Sequence, residues 1–157
     1  MSRRRWIAAA LLVGISIGAL VGCGGGSEEL SAEELVAMGD EICTEERDRF
    51  DEIQSVPLTS ASVGAKQAEE LLAAAESAQD DLRDLEPPEE IRDSYDSYLD
   101  ARDEVSDLLE RGREAAEDKD GAEFGEAQEE AADGAGKREK LARELGFKVC
   151  SLSAAAP

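Results

Sequence analysis

Histidine is absent from this 157-residue chain, and aromatic residues make up only 4% of it. Without imidazole there is no Ser-His-Asp or Cys-His nucleophile, and no His-built zinc, haem or di-iron carboxylate site. Basic residues are also scarce. Lys and Arg number 17 against 38 Asp and Glu, a formal net charge of −21. A basic, phosphate-binding surface is therefore excluded, and with it nucleic acid as a partner. The single Trp falls at position 6, so the chain beyond it has no Trp platform for stacking a sugar. No CxxC spacing suggests redox catalysis, and no Gly-rich loop follows a strand pattern to cradle phosphate. Paired carboxylates of the glycosidase type are uninformative here, because acids are abundant everywhere. No catalytic residue, metal ligand or cofactor is expected.

The one long apolar run lies at the start. Met1-Ser2-Arg3-Arg4-Arg5 is followed by a mostly apolar stretch from Trp6 to Val21. This matches the basic and hydrophobic regions of a signal peptide, and it is short of the roughly 20 residues a permanent spanning helix needs. Leu20-Val21-Gly22-Cys23 resembles the lipobox of bacterial lipoproteins. That resemblance implies diacylglyceryl transfer to the Cys23 sulfur and cleavage before it, so that Cys23 becomes the first mature residue and carries the membrane anchor. Two acyl signals suffice for stable anchoring where one is marginal. Ser2 to Ile7 is also similar to the twin-arginine export signal, although three arginines serve equally as the basic start of ordinary secretion. The expected organisation is a signal peptide over residues 1–22, a lipidated Cys with a Gly/Ser/Glu tether over 23–30, a folded domain over 31–150 and a frayed tail over 151–157.

There are three cysteines. If Cys23 carries lipid, Cys43 and Cys150 remain as a pair, and outside the cytoplasm such a pair is expected to oxidise. The bridge closes a loop of about a hundred residues, worth on the order of 4–5 kcal/mol in the chain-entropy model.

Residues 31–150 read as four helices. Ser31 and Glu34 form a capping-box pattern opening the first, which runs to about Ser55 with Leu35, Met38, Ile42, Phe50 and Ile53 on one stripe. Glu46 and Arg49 fall within that stripe, as an i, i+3 pair or with their heads at its edge. The second helix starts after Thr59 or Ser60 and carries an Ala-rich stripe: Ala68, Leu71, Ala75, Ala78, Leu82 and Leu85. Pro87 breaks the chain, and Pro88 is expected as the first residue of the third helix. That helix carries Ile91, Tyr95, Tyr98, Leu99, Val105, Leu108 and Leu109 to about Glu117; its two tyrosines read as core. Asp120 and Glu123 suggest a cap for the fourth helix, lined by Phe124, Ala127, Ala131, Ala135, Leu141 and Leu145. Gly146 is its expected left-handed stop, with Phe147 folding back in a Schellman-like end. Asp118-Lys119-Asp120-Gly121 looks superficially like part of a calcium loop. Aligned on Gly121, however, Ala116 and Ala127 occupy the first and last ligand positions, so a helix turn is expected. Four long helices with short breaks imply an all-α, antiparallel four-helix bundle with a disulfide staple.

Ile42-Cys43, Leu85-Glu86-Pro87-Pro88-Glu89 with Tyr95, Tyr98 and Leu99, the turn at Asp118–Gly121, and Leu145-Gly146-Phe147 with Cys150 together resemble small secreted or lipid-anchored helical proteins of high-GC Gram-positive bacteria. The resemblance spans most of residues 32–150. It implies a disulfide-stapled helical bundle at the cell surface and no particular activity. The expectation is a non-catalytic protein on the extracytoplasmic face of the cell membrane, with an interaction or envelope-associated role. The alternative is a binding module for a cationic solute (polyamine or divalent cation) or a basic peptide.

Overall fold

The computed structural model describes residues 29–152. Every helix start and stop in it has a local cause. Helix α1, Ala32–Gln54, opens on the expected capping box: Ser31 Oγ accepts from the Glu34 amide at 3.2 Å, and the Glu34 carboxylate accepts from the Ser31 amide at 3.0 Å. It ends just before Pro57. Helix α2, Ala61–Arg83, is capped by Ser60, whose Oγ accepts from the Val63 amide at 3.3 Å. Pro88 is not the first residue of the third helix. It stands extended before a single 3₁₀ turn, Glu89–Ile91, and α3 begins only at Arg92, running to Asp118. The Ile91 amide donates to Pro88 O at 3.1 Å, so the tighter turn satisfies a group the α-helix would have left free.

Between α3 and α4 the chain turns through Lys119, a non-glycine residue at φ 60°. Asp120 then caps α4, Gly121–Leu145, its Oδ1 accepting from the Ala122 and Glu123 amides at 3.1 Å each. The helix continues through Gly134 and Gly136. At Gly146 (φ 93°) it stops in the expected Schellman pattern, with the Phe147 amide donating to Ala142 O and the Gly146 amide to Arg143 O.

The four helices pack as an antiparallel bundle. Near one end of the α1–α2 hairpin Gln67 Nε2 donates to Ile53 O at 2.6 Å; α2 meets α3 where the Tyr95 hydroxyl donates to Leu82 O, also at 2.6 Å. Arg111 to Glu130 and Lys137 to Glu104 link α3 to α4. The large buried side chains gather at the end where α1 begins and α4 stops: Leu35, Leu82, Leu85, Tyr95, Tyr98 and Phe147. Tyr95, Tyr98 and Phe147 form a triangle with ring centroids 5.5–6.3 Å apart. Toward the hairpin turns the core thins to Ala115, Ala127 and Ala131, and α1 has no fully buried residue beyond Cys43.

Three expected core residues lie outside this core. Met38 and Phe124 are each 42% exposed and Leu109 is 40% exposed. On α1 the buried line is Leu35, Gly39 and Cys43, because Phe147 lies against Gly39 and draws that face inward; Met38 is turned aside. A Cβ at Gly39 would overlap the Phe147 ring, with Cζ only 2.9 Å away. Phe124 sits in the first turn of α4, which meets α3 instead through Ala127 against Gly112.

Burial pushes the hydroxyls of Tyr95 and Tyr98 above the ordinary tyrosine value, with the Arg102 charge working against it in both. A raised folded-state value means stability that is complete below about pH 10 and is lost as pH climbs toward the folded values. These are the chain's two tyrosines. Tyrosinate absorbance is therefore expected to appear in one cooperative step above pH 10, coincident with loss of helical circular dichroism. A gradual tyrosinate signal from a still-helical chain would contradict the packing.

Candidate functional surfaces

The first feature is the staple. Cys43 and Cys150 are disulfide-bonded, Cα atoms 5.2 Å apart across a sequence separation of 107. The pairing expected from the cysteine count is thus formed, whereas Cys23 lies outside the described residues. Asp40, one turn before Cys43, reinforces the link. Its carboxylate accepts from the amides of Lys148 at 3.0 Å, Val149 at 2.8 Å and Cys150 at 3.3 Å. Past the Gly146 stop these N–H groups have no helical acceptor, and one side-chain carboxyl group from α1 satisfies all three. No local pattern ties residue 40 to residue 148, so the sequence carries no signal for this contact.

The second feature is a buried polar network. Arg102 is 7% exposed. Its Nε donates to Gln79 Oε1 at 2.8 Å, one Nη to the Tyr98 hydroxyl at 3.3 Å, and the other Nη to Glu46 at 2.9 Å. Gln79 in turn donates to Leu99 O and Asp103. Burial works to lower the Arg102 value, but Glu46 and Tyr98 outweigh it and hold it above the ordinary guanidinium range. Helices α1, α2 and α3 are thereby joined through one guanidinium. Glu46 takes this partner rather than Arg49, which stays exposed. The sequence did hold a signal: Tyr95, Tyr98, Arg102 and Val105 share one helical stripe, and a cation on such a stripe needs a buried partner.

The third feature is a groove of about 790 Å³ between α1 and α2. Its apolar lining is Ile42, Ile53, Val56, Ala74 and Ala78. Around these stand Glu45, Asp48, Glu52, Glu70 and Asp81, with Arg49 as the cation among them. Glu46 also reaches the groove but is engaged by Arg102, and Glu70 has an exposed ion pair with Lys66 at 3.2 Å. The groove is a consequence of the alanines: small side chains on α2 do not fill the space beside the second half of α1. A groove of about 740 Å³ between α2 and α3 differs in charge, because Lys66 and Arg113 stand among its carboxylates, Glu69, Glu76, Glu110 and Glu117, and Arg113 pairs with the last two.

Among the described residues no group of three or more His, Cys, Asp or Glu is placed to hold a metal ion. Asp118–Gly121 is a helix end and the next helix's cap. Also among the described residues, no helix is long and apolar enough to cross a membrane.

Removing Glu46 leaves Arg102 buried without its carboxylate. Glu46→Ala is expected to cost about 3–5 kcal/mol in urea unfolding. Replacing both partners, Glu46→Leu with Arg102→Met, should cost clearly less than the two single changes summed. Additive losses would mean the pair does not interact in solution.

Compared with protein-family models, with curated proteins and with solved structures, the chain has no match in any of the three.

Proposed function

We propose that this chain is a lipid-anchored extracytoplasmic protein that acts without catalysis, by presenting the acid-lined α1–α2 groove to a basic segment of a partner protein. The observation that carries the reading is the composition of that groove. Five carboxylates stand around an apolar floor with one exposed arginine among them. Such a surface favours a ligand with cationic side chains around an apolar strip, and its field speeds encounter at low salt. The anchoring half of the proposal rests on the resemblance of Leu20-Val21-Gly22-Cys23 to a lipobox. The described chain begins at the stapled end, so an anchor at Cys23 sets that end toward the membrane. Helix α3 has 27 residues and so is about 40 Å long, which puts the hairpin turns that far out. The non-catalytic part rests on composition, chiefly the missing histidine. A small polycation is the second reading, favoured by facing carboxylates on the two walls of the groove, Glu45 and Glu52 on α1 and Glu70 and Asp81 on α2.

Two measurements test this. Export of a Cys23→Ser form is expected to shift the protein from the membrane fraction to the medium or soluble fraction; unchanged membrane association would remove the anchor. For the groove, a Lys/Leu-patterned peptide and spermidine serve as probes at fixed ionic strength. The combined variant Glu45→Gln, Glu52→Gln, Glu70→Gln and Asp81→Asn should weaken binding by about tenfold or more, at 1.4 kcal/mol per decade. A variant losing the same charge elsewhere, at Asp107, Glu126, Glu129 and Asp133, should bind nearly as the parent does. Equal losses in both variants would reduce the groove to a part of the general acidity.

A further inference from the structure

With 38 acidic residues to 17 basic ones, pairing an arginine in this chain is easy. Arg83, Arg92, Arg102, Arg111, Arg113 and Arg143 each have a carboxylate within ion-pair distance. Arg138 on α4 does not. It is turned inward beside Arg102, and among the described residues no carboxylate lies within ion-pair distance of it. Its Nε is buried and accepted by nothing. Glu46, which borders the same space, is already held by Arg102. Arg138 is partly exposed, so water reaches part of its guanidinium, but the buried Nε edge stands beside a second guanidinium with no acceptor of its own, and an anion placed there is favoured.

A cavity stands at this place. It measures about 30 Å³ and is bordered by Glu46, Arg102 and Arg138, by the Cys43–Cys150 bridge, and by Phe50 and Leu152. Arg47 and Val149 also reach it. The volume matches one water or one monatomic ion. Water would give Nε an acceptor, but it would leave the second guanidinium charge uncompensated. Leu152, 51% exposed, leaves the wall open toward solvent.

We infer that this cavity is a binding site for a single small monovalent anion of the halide class, held by Arg138 and Arg102. The site is independent of the groove and of the function proposed for it. Burial first, and then the neighbouring Arg102 charge, hold Arg138 below the ordinary guanidinium value; Tyr98, Glu46 and Glu139 oppose this only in part. An anion in the cavity offsets both effects by placing an opposite charge against the two guanidiniums. The apolar wall formed by Phe50, Leu152 and the disulfide favours an easily dehydrated ion, so chloride and bromide bind and fluoride does not. Because Cys150 and Leu152 are held in place by the bridge, the site exists only in the oxidised protein.

The test is thermal melting of the whole mature chain in bromide–fluoride mixtures at constant ionic strength, beside Arg138→Gln. A site with a dissociation constant of ~10 mM raises the parent's melting temperature, relative to the variant, by about 5 °C across 0–300 mM bromide. The variant itself should melt no lower than the parent in fluoride alone, since it discards an uncompensated charge. Bromide-soaked crystals of the parent should show an anomalous peak beside the Arg138 guanidinium, independently of how the variant folds. Parent and variant responding alike to bromide, or an anomalous map with peaks elsewhere and none in the cavity, would overturn the site. Loss of the bromide response on disulfide reduction while the helices persist supports it, and its survival counts against the assembly by the bridge.

Discussion

The bond between Cys43 and Cys150 is what allows so poor a core to hold four helices. Large apolar side chains are few, and those that are fully buried sit within about two turns of the bridge. In the chain-entropy account a link spanning most of the domain raises the free energy of the unfolded chain without requiring any further burial. The Asp40 carboxylate and the Gly39–Phe147 contact act on the same C-terminal segment, so covalent, polar and steric restraints converge on one short stretch of α1. The rest of the bundle is then free to be built from alanine, glycine and exposed charge. Short side chains let helices approach closely while contributing little burial at each contact.

The buried polar network follows from the same scarcity. Arg102 occupies a position on α3 where an apolar residue would serve stability as well or better. What it supplies is register: the guanidinium reaches Glu46 on α1, Gln79 on α2 and Tyr98 on its own helix at once. Sliding α1 or α2 by a turn along α3 would separate it from at least one of these. In a core dominated by interchangeable alanines, such directional contacts distinguish one alignment of the helices from its neighbours.

The elements and their ends were legible in the sequence because each is set by local chemistry. Ser31 with Glu34, Ser60, Asp120 and Gly146 act within a few residues of themselves, and the structure places all four as read. Pro88 was misread by one turn, since proline is compatible with either a first helical position or the extended residue before a 3₁₀ turn. The errors within the core have a different origin. Met38 and Phe124 fit the periodicity of their helices, but which face is buried depends on what arrives from elsewhere, here Phe147 against Gly39. The same limit applies to Glu46, whose partner lies 56 residues away. Local spacing offered only Arg49.

The groove begins where the aromatic core ends, and this connects the architecture to the proposed role. At Ile42, Ala78 and Asp81 the tyrosine-rich packing gives way, and from there to Val56 the space beside α1 is bordered by alanine on α2. A larger residue at Ala74 or Ala78 would fill that space and add burial. The small residues there therefore forgo packing in the region where carboxylates gather around an apolar floor. The stapled end compensates for that loss at a distance. A rigid, covalently closed base with a loosely filled, acid-lined upper half suits a protein that must stay folded at a surface while keeping one face open to a cationic partner.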